Sequence, residues 1–438
     1  MLGGCAALPV SEPQRDPVQD IAAAPVYRWV GQLGGAELEA LVQEAWRANP
    51  GLDAALAAMQ RARAQAVITG SVRYPEVNAG LSAGRSRTQS FSGHEIGDSF
   101  GLSAEVSWLP DLWGRFASRQ AAGIADAAAA QADAYGIKLM LAADVTRAWY
   151  RAVEAMLQYR LGQQRADNFA ATLQVISERY EAGLAEALDV YLAKENLATA
   201  KAAMVASQQR LDASRRILES LLGRFPGAEI GIGEKLKMPA SSIPAGIDST
   251  VLLRRPDIQA WQQRLKAARA RHDDALKNRF PSISLTARGG TQTTAFDQLL
   301  NWDNLVWNLL GGITQPLFQG GRLRAEQLLA QAQNREVLAN YAQTVLLALR
   351  EVQTTLAADP LLARQAMLQE EAARTAGRAA ELALSNYQAG LIEIDTLLNT
   401  QRRAYAAQGA LLTTRLNQLL NRVDLHLAIG GDYLTDEE

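Results

Sequence analysis

Four short segments of the chain alternate strictly between apolar and polar residues. In the first of them, Val77, Ala79 and Leu81 stand at every second position, with small or polar residues between them. A period of two is the repeat of a β-strand that has one apolar and one polar face. We therefore predict two pairs of strands, within about 74–110 and about 280–317.

Long stretches of helix-forming sequence follow each strand pair, at about 115–223 and about 322–430. No proline occurs between Pro110 and Pro226, so no proline breaks a helix in the first stretch. Apolar residues recur at seven-residue steps at Leu197, Met204, Leu211 and Leu218, with small residues on a second seam and a related stripe at Leu412, Leu416, Leu419 and Val423. Sustained heptads predict helices that pack as coiled coils.

The two halves of the chain repeat one another. Pro50 and Pro256 lie in similar stretches 206 positions apart, and the Tyr-x-Ala-Gly-Leu blocks at 180–184 and 387–391 lie 207 apart. A nearly constant offset indicates a tandem structural repeat. We divide the chain into an extended leader at 1–36, a first repeat at 37–250 that ends in an equatorial segment at about 224–250, and a second repeat at 251–438. Each repeat is predicted to begin with a helix, at 37–72 and 257–278.

The length of the predicted strands favours a membrane barrel over a soluble sheet. A soluble sheet packed on helices shows the same alternation, but strands of about ten residues suit a tilted crossing of a bilayer. Four strands cannot enclose a lumen, and lipid does not tolerate an open sheet edge. We therefore predict an α+β membrane protein in which three chains form a homotrimeric 12-stranded β-barrel, with four strands per chain.

Composition and charge narrow the function classes. The chain has 44 Lys and Arg against 46 Asp and Glu, a net charge of −2, whereas a nucleic-acid-binding protein needs a basic face. It contains no run of 18 apolar residues, so we expect no transmembrane helix. One cysteine excludes a disulfide framework, and three scattered histidines give no metal-ligand pattern. We expect neither an enzyme nor a metal site.

The single cysteine, Cys5, stands in a short motif. Leu2, two glycines, Cys5 and Ala6 match the end of a bacterial lipoprotein signal, and we expect its charged and apolar parts to precede this sequence. The alternative is a chance cysteine in the leader. The only cofactor we predict is a covalent lipid, a palmitate-type anchor, on Cys5.

Several motifs together carry a family resemblance. They are Leu252-Leu253-Arg254-Arg255-Pro256-Asp257-Ile258, Phe280-Pro281-Ser282-Ile283-Ser284-Leu285 and Pro316-Leu317-Phe318-Gln319-Gly320-Gly321-Arg322-Leu323, with echoes at Tyr74-Pro75 and Asp111-Leu112-Trp113-Gly114-Arg115. On these motifs the whole chain resembles the TolC-like outer-membrane efflux proteins, in their lipoprotein branch. The resemblance implies a homotrimer whose β-barrel continues as a long coiled-coil α-barrel through the periplasm.

The resemblance also implies a function. It predicts the outer-membrane exit duct of a tripartite efflux pump, which receives substrates from a periplasmic membrane-fusion adaptor and an inner-membrane RND-type transporter. The expected location is the cell outer membrane, lipid-anchored and extending into the periplasm. Two alternatives stay open: a type I secretion conduit, and a coiled-coil scaffold lipoprotein that transports nothing.

Two sets of site residues follow from the matching positions. Both Tyr-x-Ala-Gly-Leu blocks fall where a long helix must reverse, and in the family such turns meet the adaptor. The predicted docking residues are Tyr180, Gly183 and Leu184 in the first repeat, and Tyr387, Gly390 and Leu391 in the second. The predicted periplasmic gate contains Asp395, Thr396 and Asn399, with Asp189, Arg402 and Arg403 as pairing residues that hold the tip shut. Three copies of Asp395 would make this constriction electronegative.

Overall fold

A computed structural model describes residues 26–91, 93–238 and 249–432 of the chain. The predicted lipidation site, Cys5, lies outside these residues. Contacts divide the chain into two compact units, of which the first combines Met1–Ala57, Asp133–Ile258 and Thr344–Glu438, and the second combines Ala58–Ala132 and Gln259–Gln343. All four strands belong to the second unit.

The described elements follow the predicted order of helix, strand pair and long helices, twice over. In the first half they are α1 (Arg28–Ala48), α2 (Pro50–Ser71), β1 (Glu76–Ser90), β2 (Gly93–Trp108), α3 (Arg115–Glu181) and α4 (Ala187–Leu221). In the second half a 3₁₀ turn (Ser249–Arg254) precedes α5 (Pro256–Lys277), β3 (Ser282–Thr293), β4 (Leu305–Thr314), α6 (Arg322–Gln388) and α7 (Ile394–Ala428). No helix among the described residues is both long and apolar enough to cross a membrane.

The strands form one antiparallel sheet in the order β1-β2-β3-β4. Its register aligns the apolar positions of all four strands, because Val106 faces Val77 on one side and Ala287 on the other, and Ala287 faces Leu309. Residues directly opposite each other share a face of the sheet. The sheet therefore has one apolar face, and its large side chains are exposed in the single chain.

The other face of the sheet is polar. Asn78, Glu105, Arg288 and Asn308 lie opposite one another in a row across the four strands. The Nε atom of Arg288 lies 4.0 Å from Oε2 of Glu105. An exposed apolar face opposite a polar one is the arrangement of a membrane barrel with an aqueous lumen.

The first unit has its main hydrophobic core where α1 packs on the middle of α3. Trp149 and Tyr150 are buried there, and the Tyr150 hydroxyl donates a 2.9 Å hydrogen bond to the backbone oxygen of Leu33. At the end of α4, the buried carboxylate of Glu219 accepts three backbone N–H bonds of 2.7 to 2.9 Å from residues 228–230. This carboxylate fixes the backbone at residues 228–230, near the start of the equatorial segment.

The Arg-Pro-Asp motif of the second repeat is a structural junction within the first unit. The buried guanidinium of Arg255 binds both carboxylate oxygens of Asp257, at 3.0 and 2.8 Å. It also donates to Glu351 of α6 at 2.8 Å and to the backbone oxygen of Ala428 at 2.7 Å. One arginine thus joins the start of α5, the middle of α6 and the end of α7.

The predicted seams lie on the inner sides of α4 and α7. On α4, Leu211 and Leu218 are buried, Leu197 and Met204 are partly buried, and Ala200 and Ser207 are buried small residues beside them. On α7, Leu416, Leu419 and Val423 are buried. Small residues at buried positions allow helices to approach closely.

Three details of the sequence prediction are wrong. The leader is not extended up to residue 36, because α1 begins at Arg28 and buries Trp29 in the core. The helix predicted at 37–72 is two helices, since Asn49 caps α2 through bonds from the backbone N–H of residues 51 and 52, and Pro50 takes the first helical position. Strands β1 and β2 have 15 and 16 residues, rather than about ten.

Candidate functional site: the helical tips

The two long helical hairpins end in the same type of turn. In the first, the N–H of Gly183 donates to the oxygen of Tyr180 at 3.0 Å, and the N–H of Leu184 donates to that of Arg179 at 2.8 Å. This pair of bonds defines a Schellman motif, which requires a left-handed residue after the helix. Gly183 has φ 73°, and glycine adopts this value without steric cost.

The second hairpin repeats this geometry at its own glycine. Gly390 has φ 74°, and its N–H donates to the oxygen of Tyr387 at 3.0 Å. The N–H of Leu391 donates to the oxygen of Asn386 at 2.8 Å. The sequence repeat therefore encodes two equivalent helix reversals, as the glycines in the two blocks predict.

The side chains of the two tips are not equivalent. Leu184 and Leu391 are exposed, with 66% and 73% of their surface accessible, and Tyr180 is 47% exposed. Tyr387 is only 5% exposed, because it packs into a core with Phe169 and Ile176. The ring of Tyr387 therefore supports the tip from inside, and its predicted part in docking stays a prediction.

Sequence reasoning missed Arg179, which connects the two hairpins. Its Nη1 donates a 2.9 Å hydrogen bond to the backbone oxygen of Gln388, the last residue of α6, and its guanidinium lies 5.1 Å from the centre of the Tyr387 ring. A cation at a helix C-terminus satisfies a free carbonyl and interacts favourably with the helix dipole. The available signal was a break in the repeat, since Asn386 stands at the position that corresponds to Arg179.

The predicted gate residues on α7 form a line along one side of the helix. The Nδ2 of Asn399 donates to Oδ2 of Asp395 at 2.7 Å, and Nη2 of Arg402 donates to Oδ1 of Asn399 at 2.5 Å. The amide of Asn399 therefore bridges the acid Asp395 and the base Arg402 within one helix. Thr396 and Arg403 are exposed on the same helix.

Asp189 has a role different from the one predicted. Its Oδ2 accepts a 3.2 Å hydrogen bond from the backbone N–H of Glu186, so it stabilises the start of α4 rather than pairing with an arginine of α7. Burial raises the pKa of the Tyr387 hydroxyl, and the nearby negative charge of Asp189 raises it further.

Below the turns, the tip contains a buried pair of polar residues and a partly buried arginine. Gln401 of α7 donates a 3.1 Å hydrogen bond to Thr172 of α3 in the buried interface. Burial lowers the pKa of Arg165, and the positive charge of Arg402 adds to this effect. Among the described residues, no group of three or more His, Cys, Asp or Glu side chains is placed to hold a metal ion.

The family model for the outer membrane efflux protein matches residues 41–224 and 249–431. The chain belongs to the outer membrane efflux protein family. The two matches cover most of the chain, one in each half, so the assignment includes the sheet, the long helices and both tips.

Individual members of this family are similar over nearly the whole length. The pyoverdine export outer membrane protein OpmQ of Pseudomonas aeruginosa is 30% identical over 429 residues, which are 95% of this chain and 90% of OpmQ. The cation efflux system protein CusC of Escherichia coli O157:H7 is 26% identical over 405 residues, 91% of this chain and 86% of CusC. The crystal structure of the outer membrane protein VceC of Vibrio cholerae superposes with a TM-score of 0.86 at 25% identity, covering 94% of this chain and 100% of VceC.

These similarities confirm the main predictions from sequence. The efflux protein family supplies the outer-membrane channel of tripartite pumps, and this chain is such a channel, located in the outer membrane. The fold class is confirmed as the α+β fold of a homotrimeric channel, with four strands and long helices in each chain. Its relatives are channel proteins.

Proposed function

We propose that the two tips of each chain dock a periplasmic membrane-fusion adaptor, and that an inner-membrane RND-type transporter drives export through the duct. The observation that carries this proposal is the pair of Schellman turns, each of which holds one exposed leucine, Leu184 or Leu391, beside a glycine. A fixed turn that presents an apolar side chain is suited to pack against a helical hairpin at little entropic cost. Three chains provide six such sites.

We propose further that the tip is the gate of the duct. Arg179 ties the first hairpin to the end of the second, and the side chains of Asp395, Asn399 and Arg402 form a hydrogen-bonded line on α7. Separation of the two hairpins breaks the Arg179 contacts, while the α7 line stays within one helix. In this proposal Arg179 sets the closed state, and Asp395 sets the charge of the constriction.

Photocrosslinking in living cells tests the docking proposal. A photoreactive amino acid placed at Leu184 or Leu391 is expected to cross-link to the adaptor, identified by mass spectrometry. The matched control is Leu361 of α6, which is 67% exposed but lies far from either turn in the sequence. Absence of an adaptor cross-link at both tips, or an equal yield at Leu361, would contradict docking through the turns.

We also propose that Cys5 carries the covalent lipid of an outer-membrane lipoprotein. The support is the Leu-Gly-Gly-Cys sequence and the outer-membrane location of the family. A lipid chain would add an anchor to the barrel and leave the channel itself unchanged, because acylation contributes only membrane affinity.

A further inference from the structure

The first strand pair extends beyond the rest of the sheet. Pairing between β2 and β3 ends at Phe100 and Thr293, whereas β1 and β2 stay paired up to Ser90 and Gly93. Residues 84–90 and 93–99 therefore form a two-stranded extension, which we call the outer ribbon. Seven residues at about 3.3 Å each give it a length of about 23 Å.

The outer ribbon lies at the end of the sheet away from the helices. Strand β1 starts shortly after α2 and β2 ends shortly before α3, so both helices join the sheet at its opposite end. In an outer-membrane efflux channel the helices are on the periplasmic side. The ribbon therefore reaches the outer surface of the membrane.

The apolar face of the sheet changes character where the ribbon begins. Ala83 and Phe100 are the last apolar pair on this face, and the ring centroids of Phe100 and Phe296 are 5.5 Å apart. The next two positions of β1 on the same face are Arg85 and Arg87. Arg85 lies about 7 Å beyond Ala83, since two residues of a strand separate them.

The outward face of the ribbon carries a positive charge. The Nε of Arg85 is 3.5 Å from Oδ1 of Asp98, and the Arg85 side chain is 74% exposed. The ion pair between them is therefore weak, because solvent screens it. Arg87 faces Ile96, and it has no carboxylate within 4 Å among the residues that the structure describes. The other acid of the ribbon, Glu95, lies on the opposite face.

We propose that this face of the outer ribbon binds the phosphate groups of phosphorylated lipids in the outer leaflet, with Arg85 and Arg87 as the donors. Guanidinium groups match phosphate oxygens in a bidentate geometry. The face continues the lipid-facing surface of the barrel directly into the headgroup region, where such phosphates lie. Each arginine near a charged membrane surface increases lipid affinity about fivefold.

The test is lipid binding by the full-length trimer in phosphatidylcholine nanodiscs. The probes are a diphosphorylated glycolipid and its dephosphorylated counterpart, and native mass spectrometry measures the bound fraction. We expect a preference for the phosphorylated form, and we expect Arg85→Gln with Arg87→Gln to reduce its affinity about 25-fold. Arg288→Gln is the matched control, because it removes an arginine of the same sheet from the polar face.

Each outcome decides the proposal. Equal binding of both glycolipids, or wild-type affinity in the double variant, would overturn it. Displacement of the glycolipid by millimolar inorganic phosphate would also overturn it, because the site would then bind any phosphate. Arg87→Gln alone guards against misfolding, since this side chain is exposed and makes no ion pair within the described residues; it is expected to lose about fivefold in affinity.

Discussion

Arg179 is the residue whose removal tests the gate most directly. It belongs to the first repeat, but its guanidinium binds the end of α6 and the Tyr387 ring in the second repeat. We predict that Arg179→Gln opens the closed tip, because glutamine is shorter and uncharged. It therefore replaces neither the charged hydrogen bond to the backbone oxygen of Gln388 nor the cation–π contact with Tyr387. The variant is expected to leave the fold unchanged, since Arg179 lies at the rim of the tip core.

The magnitude follows from the two contacts. A hydrogen bond from a charged donor contributes about 1.5 kcal/mol at the low end of its range. A cation–π contact at a partly exposed site adds about 0.5 kcal/mol. The loss of about 2 kcal/mol per chain corresponds to a factor of about 30 in the ratio of closed to open hairpins.

Single-channel recording of the trimer in planar bilayers measures this ratio as open probability. Arg374→Gln is the matched control, because Arg374 pairs with Glu371 of the same helix and does not join the hairpins. Tyr387→Leu completes a double-mutant cycle, and its effect should be less than additive with Arg179→Gln. If Arg179→Gln opens the channel no more than Arg374→Gln does, Arg179 does not hold the tip closed.

Three further predictions concern other residues. In the same recordings, Asp395→Ala should make the channel less selective for cations and less sensitive to block by divalent cations, since three carboxylates at one constriction attract cations. An unchanged selectivity would place Asp395 away from the lumen. Cys5→Ser in a precursor with a complete signal should abolish radiolabelled palmitate incorporation and leave trimers intact, and retained label would remove Cys5 from the lipidation proposal. Burial raises the pKa of the Glu219 carboxyl, but hydrogen bonds from three backbone N–H groups lower it more, so the pKa in the folded chain lies below its usual 4.5. The ionised carboxylate therefore stabilises the fold above pH 4.5, and this stabilisation is lost as the pH falls through the folded pKa. Glu219→Gln should therefore lower the unfolding free energy by about 2 kcal/mol at pH 7, and the unfolding free energy of the variant should decrease less than that of the wild type as the pH falls. Chemical denaturation at a series of pH values measures both, and parallel pH profiles for the wild type and the variant would refute this.

Much of the fold follows from local sequence pattern. The period of two places Val77, Leu81, Val106 and Leu309 on one face, and the observed register joins these positions across the sheet. The first pair of long helices follows from the absence of proline between Pro110 and Pro226, and α3 begins at Arg115 as predicted. The two tip glycines identify their turns, because a left-handed residue after a helix is a backbone requirement that glycine satisfies.

The roles of the tip side chains depend on tertiary structure. Tyr180 and Tyr387 occupy the same position of a sequence repeat, yet one is exposed and the other is buried. The difference arises because Arg179 and the core around Phe169 cover only Tyr387. No periodicity records which of two equivalent rings a neighbouring helix will cover.

The same limit applies to charged residues. Sequence spacing brought Asp395 and Arg402 to one side of α7, but only the structure inserts Asn399 between them and assigns Asp189 to the start of its own helix. Backbone pattern fixes which residues share a face, because helix and strand geometry repeat regularly. Which partners the side chains then choose depends on distances of a few ångströms between segments that are remote in the sequence, and only the packed chain sets those distances.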